Sequence, residues 1–120
     1  MKFTERPRRL RKNSSIRDMV QEHHLTPSDL VWPVFVKQGR GKSENITSLP
    51  GCQRMSPDVC LEEVKKLVDL GLKAVEIFPA IEEALKTTKA EEAVNPNGLV
   101  PQLIRQLKKQ FPGLLVITDI

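Results

Sequence analysis

The sequence predicts an α/β fold of parallel strands joined by helical crossovers, and three observations carry that prediction. Apolar runs at residues 30–36 and 114–117 are the mark of buried strands, the first covered on both faces, and 74–78 reads as a further strand between them. Two amphipathic helices, one following Ser56 and one over residues 99–111, separate these runs, so the order reads β, α, β, α, β. The connections from helix to strand are only a residue or two long, as in right-handed βαβ units.

Each element has its local reason. Residues 1–20 carry seven Lys or Arg against Glu5 and Asp18, a basic arm ahead of the first element. Residues 16–24 read as a short helix with Ile16, Met19 and Val20 on one face, ended by Thr26-Pro27-Ser28. The first strand, 30–36, contains Pro33, which has no N–H for a ladder bond; either the strand is an edge there or regular pairing begins at Val34. Residues 37–55 are polar and glycine-bearing, with 46–49 as a short strand or hairpin arm before Pro50-Gly51.

Ser56 then reads as an N-cap, Pro57 as the first helical residue and Asp58 as an acid at the positive end of the helix dipole. Val59, Cys60, Val64, Leu67 and Val68 share one face, and Gly71 suits the position just past the helix end. After the strand at 74–78, residues 79–96 form a long, partly helical loop. In the helix at 99–111, Val100, Leu103, Ile104, Leu107 and Phe111 face Arg105, Lys108 and Lys109 across the axis, and Pro112-Gly113 stops it.

Composition bounds the function. The 120 residues are one ordinary domain's worth, with 39% hydrophobic, 28% charged and 4% aromatic residues. No apolar run approaches a membrane span, and the basic start lacks the apolar core of a secretory signal, so a cytoplasmic protein is expected. Its net charge of +4 comes from the arm: the hundred residues beyond position 20 are nearly neutral. Two cysteines, Cys52 and Cys60, make no disulfide scaffold and are expected as thiols.

Two βα units leave buried-type strand edges open, and a closed barrel of eight units runs to about 250 residues. The expected organisation is therefore a basic arm over residues 1–25 and, over 26–120, the N-terminal part of a larger α/β protein, with a self-sufficient three-stranded domain as the alternative.

In parallel α/β proteins, reactive groups gather beyond the C-terminal strand ends. Those ends offer Lys37 and Gln38, Phe78 and Pro79, and Thr118 and Asp119. Asp119 is the leading candidate, since a carboxylate at the mouth of a sheet suits proton transfer or a cation, though a turn or helix cap would use the same residue. Lys37 is an amine in a glycine-rich loop, more simply solvated than nucleophilic, and Phe78 reads first as core. His23 and His24 point about 100° apart on a helix and share no metal. Cys52 and Cys60 lack zinc-site spacing, and Cys60 falls on the apolar helix face. Gly39-Arg40-Gly41-Lys42-Ser43 is an incomplete phosphate loop. The arm's Arg6, Arg8, Arg9 and Arg11 suit phosphates or an acidic neighbouring subunit, which makes a small α/β nucleic-acid-binding module the rival reading; without interleaved aromatics or a reading helix, nucleic acid is the weaker of the two.

Six segments, in order, carry a resemblance: Arg6-Pro-Arg-Arg-Leu-Arg11, Leu30-Val-Trp-Pro-Val-Phe-Val36, Ile46-Thr-Ser-Leu-Pro-Gly51, Ala74-Val-Glu-Ile-Phe-Pro79, Asn95-Pro-Asn-Gly-Leu99 and Leu115-Val-Ile-Thr-Asp119. Together they resemble the porphobilinogen synthase (delta-aminolevulinic acid dehydratase) family over essentially the whole chain. The resemblance implies an N-terminal arm plus the first three strands and two helices of a (β/α)8 TIM barrel, and an arm that wraps a neighbour in a homo-octamer. It implies condensation of two 5-aminolevulinate molecules to porphobilinogen with loss of two waters, through two lysine Schiff bases and with a divalent metal, zinc or magnesium. It marks Asp119 as the family's active-site aspartate and Phe78 as an aromatic residue at the pocket edge. Neither Lys37 nor Lys73 matches a catalytic lysine, and Cys52 and Cys60 do not match the zinc cysteines. Those lysines and the metal ligands are expected beyond Ile120, so the 120 residues alone are expected to be inactive.

Overall fold

The computed structural model describes residues 8–118. Among them the arm is exposed: no residue from 8 to 30 is buried. A 3-10 turn at Arg9–Arg11 precedes α1 (Ser14–Met19), where the side chain of Asn13 accepts the Ile16 N–H at 2.9 Å. The helix expected over 16–24 thus starts and stops earlier. Asn13 caps it, and none of its apolar residues is buried: Ile16 is half-buried and Met19 is 86% exposed. So short a helix without a partner does not propagate, and His23 and His24 lie beyond it in irregular chain.

Thr26 and Asp29 fix the approach to the sheet, the Thr26 N–H and hydroxyl each donating to Asp29 Oδ2 at 2.7 Å. Strand β1 (Val31–Lys37) follows, then β2 (Ser43–Asn45) and β3 (Gln53–Met55). This hairpin corrects the sequence reading. Residues 46–49 are not a strand but the turn: the Leu49 N–H donates to Ile46 O and the Cys52 N–H to Leu49 O, each at 3.0 Å. The hairpin strands are held by polar pairs, with Ser43 Oγ 2.7 Å from Gln53 Oε1 and Gln53 Nε2 donating to Asn45 Oδ1 at 2.9 Å. Such residues carry no hydrophobic alternation, which is why the strands are not legible as a pattern.

Helix α2 (Pro57–Asp69) begins behind Ser56 as expected. It ends in a Schellman turn: the Leu72 N–H donates to Leu67 O at 3.0 Å and the Gly71 N–H to Val68 O at 2.9 Å. Gly71 sits there at φ +102, the left-handed backbone that glycine adopts without strain. Strand β4 (Ala74–Ala80) leads into a loop with 3-10 turns at Glu83–Leu85 and Glu91–Val94, then α3 (Leu99–Gln110) and β5 (Leu115–Thr118).

The sheet has five strands in the order β2-β3-β1-β4-β5, two more than the three apolar runs predict. Only β2 and β3 pair antiparallel. The pair β1·β4 runs in parallel through seven residues, from Val31↔Ala74 to Lys37↔Ala80. On the other side of β1, β3 pairs at Phe35 and Val36 alone, so at Pro33 β1 is paired with β4 and is an edge toward β3.

Strands β1, β4 and β5 advance in one direction, so both right-handed crossovers place α2 and α3 on the same face. Val34, Val36, Val75 and Ile77 from the sheet meet Cys60 and Val64 of α2 and Leu103 and Leu107 of α3 in one cluster, all at 0 or 1% exposure. Complete burial of each aliphatic side chain of this size contributes about 1.5–3 kcal/mol. Among the described residues, neither α2 nor α3 covers the opposite face of the sheet.

Candidate active site

The uncovered face is where alternation sends the other half of the strand residues. Val34 and Val36 point into the core, so Phe35 between them points away; Ile77 and Phe78 divide in the same way. Register sets Phe35 beside Phe78, and their rings stack with centroids 5.4 Å apart and planes 27° apart. Arg54 of β3 is the register partner of Phe35 on its other side, and Glu44 of β2 is that of Arg54, so one row crosses four strands. Phe78, read first from sequence as core, is only half-buried and lies outside the helix-facing cluster.

Lys37 closes the C-terminal end of β1 and donates to Glu44 Oε2 at 2.5 Å. That hydrogen bond, then the charge of Lys37, holds the Glu44 carboxyl below its ordinary range, with Arg54 and Lys42 adding to it. The amine of Lys37 is thus committed to an ion pair rather than presented as a nucleophile. Lys73 immediately precedes β4 and lies at the opposite end of the strands. Asp119 and Arg6 lie outside the described residues; Thr118 ends β5 at the strand mouth.

The loop after β1 is locked to α2. The Gly41 N–H donates to Asp58 Oδ2 at 2.7 Å, the Lys42 N–H to Ser56 Oγ at 2.9 Å, and the Ser56 hydroxyl to Asp58 Oδ1 at 2.5 Å. Ser56 is fully buried, and its backbone N–H also donates to Lys42 O at 2.9 Å. Two amides that a phosphate loop would turn to a ligand are here satisfied by protein oxygens, which removes the phosphate reading of residues 39–43. The Ser56 hydroxyl, ahead of the Gly41 and Val59 amides, lowers the Asp58 pKa below its ordinary 3.8.

A second feature opens beside the strand ends, a cleft of about 540 Å³ between the 81–98 loop and the start of α3, with Pro79, Ile81, Leu99, Ile104 and Thr118 among its walls. The Glu92 carboxylate shapes its rim. It accepts from Asn95 Nδ2 at 2.9 Å, and a Cβ on Gly98 would sit 2.6 Å from Glu92 Oε1, so the absence of a side chain admits the acid to the N-terminus of α3. Ala90 turns the loop in left-handed backbone at φ +51.

Both cysteines are free. Cys60 packs in the core as expected, its thiol pushed up to about 12 by burial. Among the described residues no group of three or more His, Cys, Asp or Glu side chains lies together to hold a metal ion. No described helix is long and apolar enough to cross a membrane. Sequence reasoning missed Phe35 and the Ser56–Asp58 lock. The first was available: VWPVF and AVEIF each place Phe fifth in a strand, so in-register pairing brings the rings together. The second joins residues from two distant loops and leaves no local pattern.

A family model described as delta-aminolevulinic acid dehydratase matches residues 4–120. The chain is 43% identical over 121 residues to the chloroplastic delta-aminolevulinic acid dehydratase of Selaginella martensii, covering 100% of this chain and 29% of that protein. It is 43% identical over 118 residues to the delta-aminolevulinic acid dehydratase of Chlamydia pneumoniae, covering 98% and 36%. The crystal structure of delta-aminolevulinic acid dehydratase (porphobilinogen synthase) from Toxoplasma gondii ME49, in complex with the reaction product porphobilinogen, superposes with a TM-score of 0.87 at 42% identity, over 98% of this chain and 33% of that one. The chain spans about a third of the length of the relatives it matches.

The lock has a measurable pH signature. Because Asp58 is more acidic folded than its ordinary 3.8, its contribution is fully present above that value and is lost as pH falls through the lower folded value. The thermal midpoint of the chain should therefore hold down to about pH 5 and drop below 3.8, with Asp58→Asn shallower in the acid limb. Asp29 and Glu44 are lowered too and keep part of the slope. Circular dichroism melts from pH 7 downward check this, and identical acid limbs for the two proteins would refute it.

Proposed function

The chain belongs to the delta-aminolevulinic acid dehydratase family, and from that membership we propose that its sheet forms one wall of a (β/α)8 barrel in which two molecules of 5-aminolevulinate condense to porphobilinogen. The observation that carries this reading is the bare sheet face bearing Phe78, in a chain whose matched segment covers residues 4–120. The condensation is redox-neutral: one C–C and one C–N bond form, and two waters leave. Lysine Schiff bases in the family make the ketone electrophilic and its neighbouring carbon acidic. This chain supplies neither amine in the reading proposed, since Lys37 is bound to Glu44 and Lys73 lies at the far end of β4. It supplies Phe78 at the pocket edge, which excludes water from one side of the substrates, and Asp119 as a supporting carboxylate.

The described residues do not fit the divalent metal that the family resemblance implies, zinc or magnesium: they bring no three ligands together, and the Cys60 thiol is protonated and buried.

The arm belongs to the same proposal, with a cytoplasmic homo-octamer as the assembly. Its described arginines Arg8, Arg9 and Arg11 are exposed, as are the apolar Leu10, Met19 and Leu25. Apolar side chains left bare beside cations suit a neighbouring subunit better than nucleic acid, which would have no use for them.

Incubated with 5-aminolevulinate, the purified 120-residue chain should form no porphobilinogen in an Ehrlich colour assay; sustained product formation would overturn the assignment of the lysines. In a complete dehydratase carrying these residues, Asp119→Ala should lower turnover by about 10²- to 10⁴-fold and Lys37→Ala far less, whereas equal, small losses would remove Asp119 from the site. Deleting residues 1–12 from that enzyme should shift it to smaller oligomers in light scattering, and an unchanged mass would refute the arm's role.

A further inference from the structure

The Phe35–Phe78 stack carries an inference beyond the family resemblance, which marks Phe78 and leaves Phe35 unassigned. Phe35 stands at the one place on the uncovered face where β1 is paired on both sides, to Arg54 of β3 and to Phe78 of β4. Its backbone is therefore held from two directions. Phe78 is its register partner on β4, and within residues 8–118 the Phe35 ring is the aromatic surface on which Phe78 stacks. No other aromatic pair forms among these residues. An offset stack of this kind restricts ring rotation and has a preferred geometry, so it sets where the edge of the second ring falls.

We propose that Phe35 is a positioning residue: by stacking on Phe78 it sets the angle at which that ring borders the substrate pocket. The proposal rests on the pocket-edge reading of Phe78 given above. Phe35 itself sits one strand further from β5 and touches the substrate through Phe78 alone. A ring held in place for both ground and transition states contributes uniform binding, so its loss appears in KM rather than kcat.

The test is a double-mutant cycle in a complete dehydratase carrying these residues, with 5-aminolevulinate as the varied substrate. Phe35→Leu, which keeps apolar volume and removes the ring, should raise KM about three- to ten-fold with kcat within about two-fold, the range to which an aromatic pair's coupling converts. Phe35→Tyr should restore the wild-type KM. In a Phe78→Leu background, Phe35→Leu should add less than about two-fold, because the ring it orients is gone. Phe35→Met serves in its place should the leucine variant not fold. If Phe78→Leu raises KM and Phe35→Leu leaves it unchanged, or if the two effects multiply, the positioning role is overturned and the pocket edge stands. If Phe78→Leu has no effect on KM, both fall together.

Discussion

The parallel pairing of β1 with β4 through seven residues is the constraint on which the rest of the structure depends. Parallel strands need a crossover, the crossover is right-handed, and a second crossover to β5 in the same direction puts α3 beside α2. Burial follows: Val34, Val36, Val75 and Ile77 are sealed under the helices while the alternate residues face away. The exposure of the Phe35–Phe78 row is therefore a by-product of chain direction. Had α3 crossed on the other side, Phe35 and Phe78 would be core residues.

Hydrogen bonds finish what the pairing begins. The long excursion from β1 through the hairpin to α2 could drift as a unit, but Ser56 and Asp58 tie its near end, at Gly41 and Lys42, to the helix start. A cap that would ordinarily serve its own helix is spent on a tertiary contact, and the buried Ser56 hydroxyl makes no cap bond to an N–H of α2. At the other helix the economy is reversed: Gly98 has no side chain to cap α3, and Glu92 from the preceding loop brings the negative charge. Both helix starts are thus joined to loops at the strand ends, where the parallel α/β architecture concentrates reactive groups.

The three principal strands and both long helices were legible because each follows a simple period, and α2 announced its ends through Ser56, Pro57 and Gly71. Residues 43–55 were not. Ile46 looks like the start of a strand yet is buried, at 5% exposure, where the hairpin turn begins. The arm helix was misplaced for the opposite reason, since an amphipathic pattern predicts burial and neither Met19 nor Val20 is buried. Of the candidate site, Phe78 was visible at a strand end, and Lys37 was read as solvated rather than nucleophilic. The ion pair that occupies Lys37 was invisible, as it joins a strand end to a hairpin whose strands carry no signal.

The burial of Cys60 bears on how the molecule can be handled. A thiol held protonated to about 12 and sealed under the sheet does not react with maleimides or oxidants at neutral pH. Cys52, half-exposed at the turn of the hairpin, is the thiol such reagents can reach. The folded chain therefore behaves as a single-cysteine protein, and a fluorophore attached at Cys52 would report from the hairpin next to the Arg54–Phe35–Phe78 row without any cysteine having been introduced or removed.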